Sequence, residues 1–163
     1  PSSRGHVRIK SPDPMAPPAM LFNYLSTNYD RAITVAGARL TRRLAASRSF
    51  APYILEEYRP GPAVDSDAAI LETVRDTGTT GYHPVGTCRM GHGALCVVDP
   101  RLRVHGVDGL RVVDASVMPT LVSGNTNAAT VMIAEKAADM IRDDAAAAPP
   151  RTNTARSAIA MTH

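Results

Sequence analysis

The sequence contains few of the residues that mark particular classes of protein. It has no tryptophan, only two phenylalanines and only two cysteines, and its basic and acidic residues are interspersed, with a net charge of +3. Two cysteines are too few for a disulfide-stapled secreted fold. The scarcity of aromatic residues and the lack of a lysine- and arginine-rich block argue against nucleic-acid binding. No apolar run approaches the roughly 20 residues that a membrane-spanning helix needs.

The beginning of the sequence suggests that it starts partway along a longer polypeptide. It begins with Pro1. A signal peptide would have a basic segment followed by an apolar one, and the first residues show no such pattern. We therefore expect an incomplete polypeptide. The low cysteine count favours a location in the cytoplasm or peripheral to the inner membrane. Residues 144–163 contain few large apolar side chains and two consecutive prolines, which predicts a disordered tail.

The first half predicts one strand and two helices. Polar and apolar residues alternate over residues 6–10, as in a half-buried strand, and a proline-rich stretch ends the pattern. A helix is predicted from about Tyr29 to Ser47. Its apolar residues recur at helical spacing: Ile33, Ala36, Leu40 and Leu44. Asp65 and Ser66 can cap a second, shorter helix. Its expected buried side is Ile70, Leu71 and Val74.

The second half predicts short strands followed by a long helix. The strands expected between proline and glycine turns are Val97–Asp99, Leu102–His105 and Leu110–Asp114. From Asn127 the apolar period changes to that of a helix. Its expected apolar stripe is Val131, Ala134, Ala138 and Ile141.

A glycine-rich stretch between these halves, GYHPVGTCRMGHGALC over residues 81–96, concentrates the reactive side chains. As a metal site it would use His83, Cys88, His92 and Cys96 as ligands. Their spacing, H-x4-C-x3-H-x3-C, matches no common structural zinc pattern. As a phosphate-binding loop, GHGALC lacks the third glycine and the following helix that a dinucleotide fingerprint needs.

The third interpretation is a histidine held on a stiff loop for proton transfer. Pro84 restricts the backbone directly after His83, and the glycines that follow permit close turns. A plain turn with a structural histidine remains an alternative from these residues alone.

Three successive motifs together resemble the closing region of the glucose-methanol-choline family of flavin oxidoreductases. They are HPVGTCRMG, VVDPRLRVHGVDGLRVVDASVMP and SGNTNAATVMIAEKAADMI. The resemblance runs without a visible gap from about Gly81 to Ile141 and is greatest to choline-dehydrogenase-like members. The earlier SRGHVRIKSPDP and FNYLST resemble strands of the family's substrate domain.

This resemblance implies roles for six residues. His83 would be the active-site base, and Asn127 would position the substrate hydroxyl. Flavin contacts, mostly through backbone groups, would come from Asp114, Ala115, Asn125 and Thr126. The sequence has GNTN where the family often has G-N-P-N, so Thr126 replaces a frequent proline. Asn127 is also a residue type that caps helices, and the two roles are compatible.

The resemblance also implies the architecture and the cofactor. We expect an α/β fold with residues 1–95 in a substrate-binding domain and residues 96–143 in an FAD-binding domain. The expected reaction is FAD-dependent oxidation of an alcohol to an aldehyde, with a quinone or similar compound as electron acceptor. The family's G-x-G-x-x-G fingerprint is absent from the sequence, so an upstream polypeptide is an expected partner. The alternatives are a non-catalytic remnant or interaction module and a small metal-binding module.

Overall fold

The computed structural model describes residues 1–148 and divides the chain into two compact units. The first unit is Pro1–His83, and the second begins at Pro84. The regular elements are β1 (His6–Arg8), β2 (Ala19–Leu21), α1 (Asn28–Ala45), α2 (Asp67–Thr77) and α3 (Thr126–Ala147). Two short 3-10 turns cover Ala51–Tyr53 and Ala115–Val117. Helices with a small sheet agree with the predicted mixed α/β class.

The first unit opens with an antiparallel hairpin in which β1 pairs with β2. Val7 lies opposite Met20, and His6 lies opposite Leu21. The predicted strand is confirmed over His6–Arg8 and ends where the proline-rich connection begins. All six strand residues are exposed, so the hairpin buries no apolar face within the described residues.

The start of α1 is fixed by its own cap and by the backbone of Ser2 and Ser3. The Thr27 hydroxyl accepts a hydrogen bond from the Asp30 amide at 3.2 Å, and α1 begins one residue later, at Asn28. The Asp30 carboxylate in turn accepts from the amides of Ser3 and Ser2, each at 2.7 Å. Hydrogen bonds from Ser3 and Ser2 hold the pKa of Asp30 well below its usual range, even though burial of the carboxyl opposes ionisation.

The predicted helix is confirmed, and its buried side is not the side that carries the spaced apolar residues. The side of α1 that faces α2 buries Val35, while Ile33, Leu40 and Leu44 are 54%, 47% and 60% exposed and Ala36 is also exposed. The apolar pattern marked a helix correctly, but the side that becomes covered depends on the position of α2.

Helix α2 follows its prediction closely. The Ser66 hydroxyl accepts from the Ala69 amide at 3.2 Å and caps the helix, which begins at Asp67. Ile70 is buried, and Leu71 and Val74 are half-buried. Arg39 of α1 donates to the Asp67 carboxylate at this end of α2, which joins the two helices across the surface of the unit.

In the second unit, the three predicted strands are wrong as continuous elements. Only isolated bridges form there: Met90 with Val98, Val98 with Val104, and Arg103 with Arg111. The cause is a close succession of turns. The Asp99 carboxylate accepts from the amides of Arg101 and Arg103, and Leu102 has a φ of 64°. Burial opposes ionisation of Asp99, but hydrogen bonds from Arg103 and Arg101 outweigh it and lower the pKa of Asp99.

The long helix predicted from Asn127 is confirmed as α3, with a different buried side. Ile133 and Ala137 are buried, whereas the predicted stripe of Val131, Ala134, Ala138 and Ile141 is exposed. The two buried side chains pack into the core of the unit with Val98, Leu102, Val117 and Met118. Because α3 is rich in alanine, its apolar residues lie on more than one side, and packing against this core selects one of them.

The C-terminal part of α3 is anchored by an ion-pair cluster. Arg101 donates to one oxygen of the Asp144 carboxylate at 2.7 Å, and Arg111 donates to the other. Burial opposes ionisation of Asp144, but the hydrogen bonds from Arg101 and Arg111 outweigh it and lower the pKa of Asp144. The predicted start of a disordered tail at residue 144 is therefore wrong, because residues 144–147 are helical. The rest of that prediction, residues 149–163, lies outside the described residues.

Among the helices of residues 1–148, none combines the length and the apolar character needed to cross a membrane.

Candidate functional site

The residues that directly follow His83 form a loop held by backbone hydrogen bonds. The Cys88 amide donates to the Ser116 carbonyl at 3.0 Å, and the Met90 amide donates to the Val117 carbonyl at 2.8 Å. Both acceptors belong to the 3-10 turn Ala115–Val117. Pro84–Gly91, which we call the motif loop, therefore lies against the turn that directly follows Asp114.

Glycine is favoured at position 86, where the motif loop approaches the residue that follows this turn. Gly86 has a φ of 86°, and a Cβ on it would lie 3.3 Å from the carbonyl oxygen of Met118. Residues with a side chain rarely adopt that backbone conformation, and the oxygen belongs to a buried residue that has little freedom to move. Gly86 thus permits both the bend of the loop and its close approach to Met118.

The far end of the motif loop is fixed at Gly91. Its amide donates to the Val98 carbonyl at 2.9 Å, and its carbonyl lies 2.9 Å from Nε2 of His105. Since a carbonyl oxygen only accepts, Nε2 of His105 carries the hydrogen in this bond. The Cys96 sulfur lies 2.8 Å from where a Cβ on Gly91 would be, so no side chain fits there without displacement. Cys88 and Cys96 are free thiols and half-buried.

His83 and Asn127 are placed in different units. His83 is half-buried and is the last residue of the first unit. Asn127 is the second residue of α3 and is exposed. Their predicted joint action on one hydroxyl therefore stays a prediction.

The residues predicted to contact flavin lie on two segments of the second unit. Asp114 is exposed, and its carboxylate accepts from the Ser116 amide at 2.8 Å. Ala115 begins the 3-10 turn and is half-buried. Asn125 precedes α3 and is exposed, while Thr126 is its buried first residue.

The N-terminal end of α3 suits a hydrogen-bond acceptor on a ligand. Asn125 stands at the N-cap without a side-chain hydrogen bond to the helix, and the first turn has no acidic residue. The first amide groups of a helix have no acceptor within it and carry a partial positive charge. Asn125 and Asn127 are exposed beside them, so this end presents several hydrogen-bond donors to solvent.

The other two interpretations of the glycine-rich stretch receive no support from this geometry. Within residues 1–148, no group of three or more histidine, cysteine, aspartate or glutamate side chains is arranged to hold a metal ion. The GHGALC segment leads into the bridge residue Val98 and not into a helix, so it lacks the helix N-terminus of a dinucleotide-binding loop.

Two residues with a part in this arrangement were missed by the sequence analysis. His105 received no role, although it hydrogen-bonds the end of the motif loop. Ser116 was passed over, because its contribution is made by its backbone amide and carbonyl, which carry no side-chain signal. A histidine beside a glycine turn was the one available hint for His105.

Comparison with known proteins agrees with these motifs. Residues 1–134 match the model of the GMC oxidoreductase C-terminal region. An oxygen-dependent choline dehydrogenase of Klebsiella pneumoniae is 50% identical over 140 residues, which cover 86% of this chain and 25% of the relative. The chain thus spans about a quarter of the length of the curated relatives that it matches.

Solved structures show the same fold. Pyridoxine 4-oxidase from Mesorbium loti superimposes with a TM-score of 0.80 at 35% identity, over 88% of this chain and 28% of that structure. An FAD-dependent oxidoreductase from Chaetomium thermophilum gives a TM-score of 0.78 at 27% identity, over 87% of this chain and 25% of that structure.

Proposed function

Because this chain belongs to the GMC oxidoreductase family and is similar to the C-terminal region of its choline-dehydrogenase-like members, we propose that it forms part of an FAD-dependent alcohol oxidoreductase. The reaction is oxidation of an alcohol to an aldehyde. The structural observation that supports this proposal most is that the loop that follows His83 is hydrogen-bonded to the turn that follows Asp114. This links the segment of the proposed base to the segment proposed to contact FAD.

The proposed base is His83. Removing a hydride from a carbon that bears a hydroxyl becomes easier as the hydroxyl loses its proton, and a neutral imidazole nitrogen can accept that proton. Asn127 donates an amide hydrogen to the same oxygen and fixes its orientation. Bound FAD supplies the acceptor for the hydride.

The cofactor contacts proposed for this chain come from the two segments described above. Asp114 and Ala115 contribute backbone groups, and Asn125 and Thr126 contribute the N-terminal end of α3. The uncapped first turn of this helix supports the assignment. In the proposed organisation, residues 1–95 belong to the substrate-binding domain and residues 96–143 to the FAD-binding domain.

The substrate we propose is a small alcohol of the choline type, since the curated relatives at about 50% identity are choline dehydrogenases. The proposed partner is an upstream polypeptide of the same family, which would supply the G-x-G-x-x-G fingerprint that this sequence lacks. A quinone or similar compound is the proposed electron acceptor, and the proposed location is the cytoplasm or the surface of the inner membrane.

The test is a chimera in which this chain replaces the matching region of the Klebsiella pneumoniae relative. We expect the purified chimera to retain FAD, seen by its visible absorbance, and to oxidise choline. Replacing the proposed base by alanine (His83→Ala) should lower kcat by on the order of 10²-fold or more while FAD stays bound. Asn127→Ala should also lower kcat, by up to about 10²-fold.

The matched control is His92→Ala, which removes an exposed imidazole from the same glycine-rich stretch. Its turnover should equal that of the unmodified chimera. Full turnover in His83→Ala would refute the assignment of the base. A chimera that binds FAD but never oxidises choline, beside an active parent enzyme, would favour the non-catalytic remnant. Stoichiometric zinc lost in His92→Ala would favour the metal-binding module.

A further inference from the structure

The Asp114 carboxylate is connected to the motif loop through one residue. It accepts a hydrogen bond from the Ser116 amide at 2.8 Å, and the Ser116 carbonyl accepts from the Cys88 amide at 3.0 Å. The Val117 carbonyl, one residue later, accepts from the Met90 amide at 2.8 Å. A side chain on one segment thus caps the turn whose two carbonyls hold Cys88 and Met90, which lie 26 and 24 residues earlier in the sequence.

The geometry of this turn depends on its aspartate. Asp114 is extended, with φ −156° and ψ −173°, and its side chain caps the following 3-10 turn. A 3-10 turn of this length has few internal hydrogen bonds and poor hydrogen-bond geometry, so its cap contributes much of its order. The Ser116 hydroxyl does not take part, because its oxygen is buried without a hydrogen-bond partner in the described part of the chain.

The opposite side of the turn is fixed by packing. Val117 and Met118 are buried and belong to the same core cluster as Ile133 and Ala137 of α3. The side chains therefore hold the turn on the core, while the carbonyls of Ser116 and Val117 accept from the motif loop. The Asp114 cap holds the backbone between the core and these two carbonyls.

We propose that Asp114 is a positioning residue whose carboxylate, by capping the Ala115–Val117 turn, holds the motif loop and thereby fixes the backbone on the C-terminal side of His83. Asp114 acts here through its side chain, in addition to the backbone contact with FAD proposed above. The consequence for catalysis rests on the proposed role of His83, whereas the link between Asp114 and the loop does not.

The first experiment measures amide hydrogen exchange at Cys88 and Met90 in the 163-residue chain. Replacing Asp114 by alanine should raise the exchange rates of both amides by roughly tenfold, the effect of losing one ordinary hydrogen bond. Asp114→Asn should preserve slow exchange, since its amide oxygen can accept from Ser116 in the same way. Asp108→Ala, which removes an exposed aspartate from another turn of the same unit, is the matched control.

The second experiment repeats these three substitutions in the flavin-loaded chimera. Asp114→Ala should lower kcat while KM and FAD content stay unchanged, and Asp114→Asn should restore kcat. Unchanged exchange at Cys88 in Asp114→Ala would overturn the proposal, as would an asparagine variant as impaired as the alanine one. If Asp114→Ala loses FAD while the Cys88 and Met90 amides exchange no faster, the Asp114 side chain contacts the cofactor and does not position the loop. If the chimera does not turn over at all, the proposed function fails while the exchange result still decides the positioning role.

Discussion

Replacing Gly86 by alanine tests the packing of the motif loop directly. The substitution places a Cβ on a residue with a φ of 86°, at 3.3 Å from the carbonyl oxygen of Met118. The left-handed backbone alone costs about 1–2 kcal/mol for a residue with a side chain. The close approach adds to this cost, because the Met118 backbone is held by a buried side chain.

Two other glycines separate these contributions. Gly106 has a φ of 75° with open space around it, so Gly106→Ala should show the backbone cost of about 1–2 kcal/mol alone. Gly37 lies within α1 and is also in open space, so Gly37→Ala should raise the free energy of unfolding by about 0.5–1 kcal/mol.

The assay is urea unfolding of the chain followed by circular dichroism. The expected order of midpoints runs from Gly37→Ala as the most stable, through the unmodified chain and Gly106→Ala, to Gly86→Ala as the least. A Gly86→Ala midpoint equal to that of Gly106→Ala would show that the approach to Met118 is loose. A midpoint equal to that of the unmodified chain would refute the described loop.

Three further predictions concern stability and use the same unfolding assay. Ile133→Ala should lower the free energy of unfolding by about 2–5 kcal/mol, whereas Val131→Ala on the exposed side of α3 should change it by less than about 0.5 kcal/mol; equal effects would contradict the buried side described for α3. Ser66→Ala should cost about 1 kcal/mol and Ser66→Asp much less, because only the second keeps a cap for α2. Since the pKa of Asp144 is lowered in the folded chain, its ion pairs contribute stability above about pH 4 that is lost as the pH falls through the lowered value. The midpoint of Asp144→Asn should therefore fall less steeply as the pH is lowered below about 4, and an identical slope would refute this linkage.

The helices could be predicted from the sequence because their signals are local. Ser66 precedes an apolar period and caps α2, and the period change at Asn127 marks the beginning of α3. The buried sides of α1 and α3 could not be predicted in the same way. Ile33 and Val35 are both apolar residues of α1, and which of them is covered depends on the position of another helix.

The failure of the strand prediction has a similar cause. Residues 97–114 contain β-branched residues in short runs, but a strand requires a partner of matching length. Asp99 and the glycines at 106 and 109 turn the chain so often that only single bridges form. The β-branched residues therefore form bridges but no continuous ladder.

The candidate site was partly accessible from the sequence. The motifs around His83 and Asn127 indicated the family, and the family match confirms that resemblance. The hydrogen bonds that fix the motif loop were not accessible, because they join backbone groups of Cys88 and Ser116 across 28 positions and leave no side-chain pattern. Backbone groups carry no residue identity, so such a link becomes visible only once the fold is described.

The measurement that tests the central claim most directly is a single turnover of the flavin-loaded chimera without oxygen. Choline is mixed rapidly with the enzyme, and loss of the visible absorbance of oxidised flavin reports hydride transfer. We predict that His83→Ala binds FAD as fully as the unmodified chimera but loses this absorbance on the order of 10²-fold or more slowly. Loss of absorbance at the unmodified rate in His83→Ala would contradict the account.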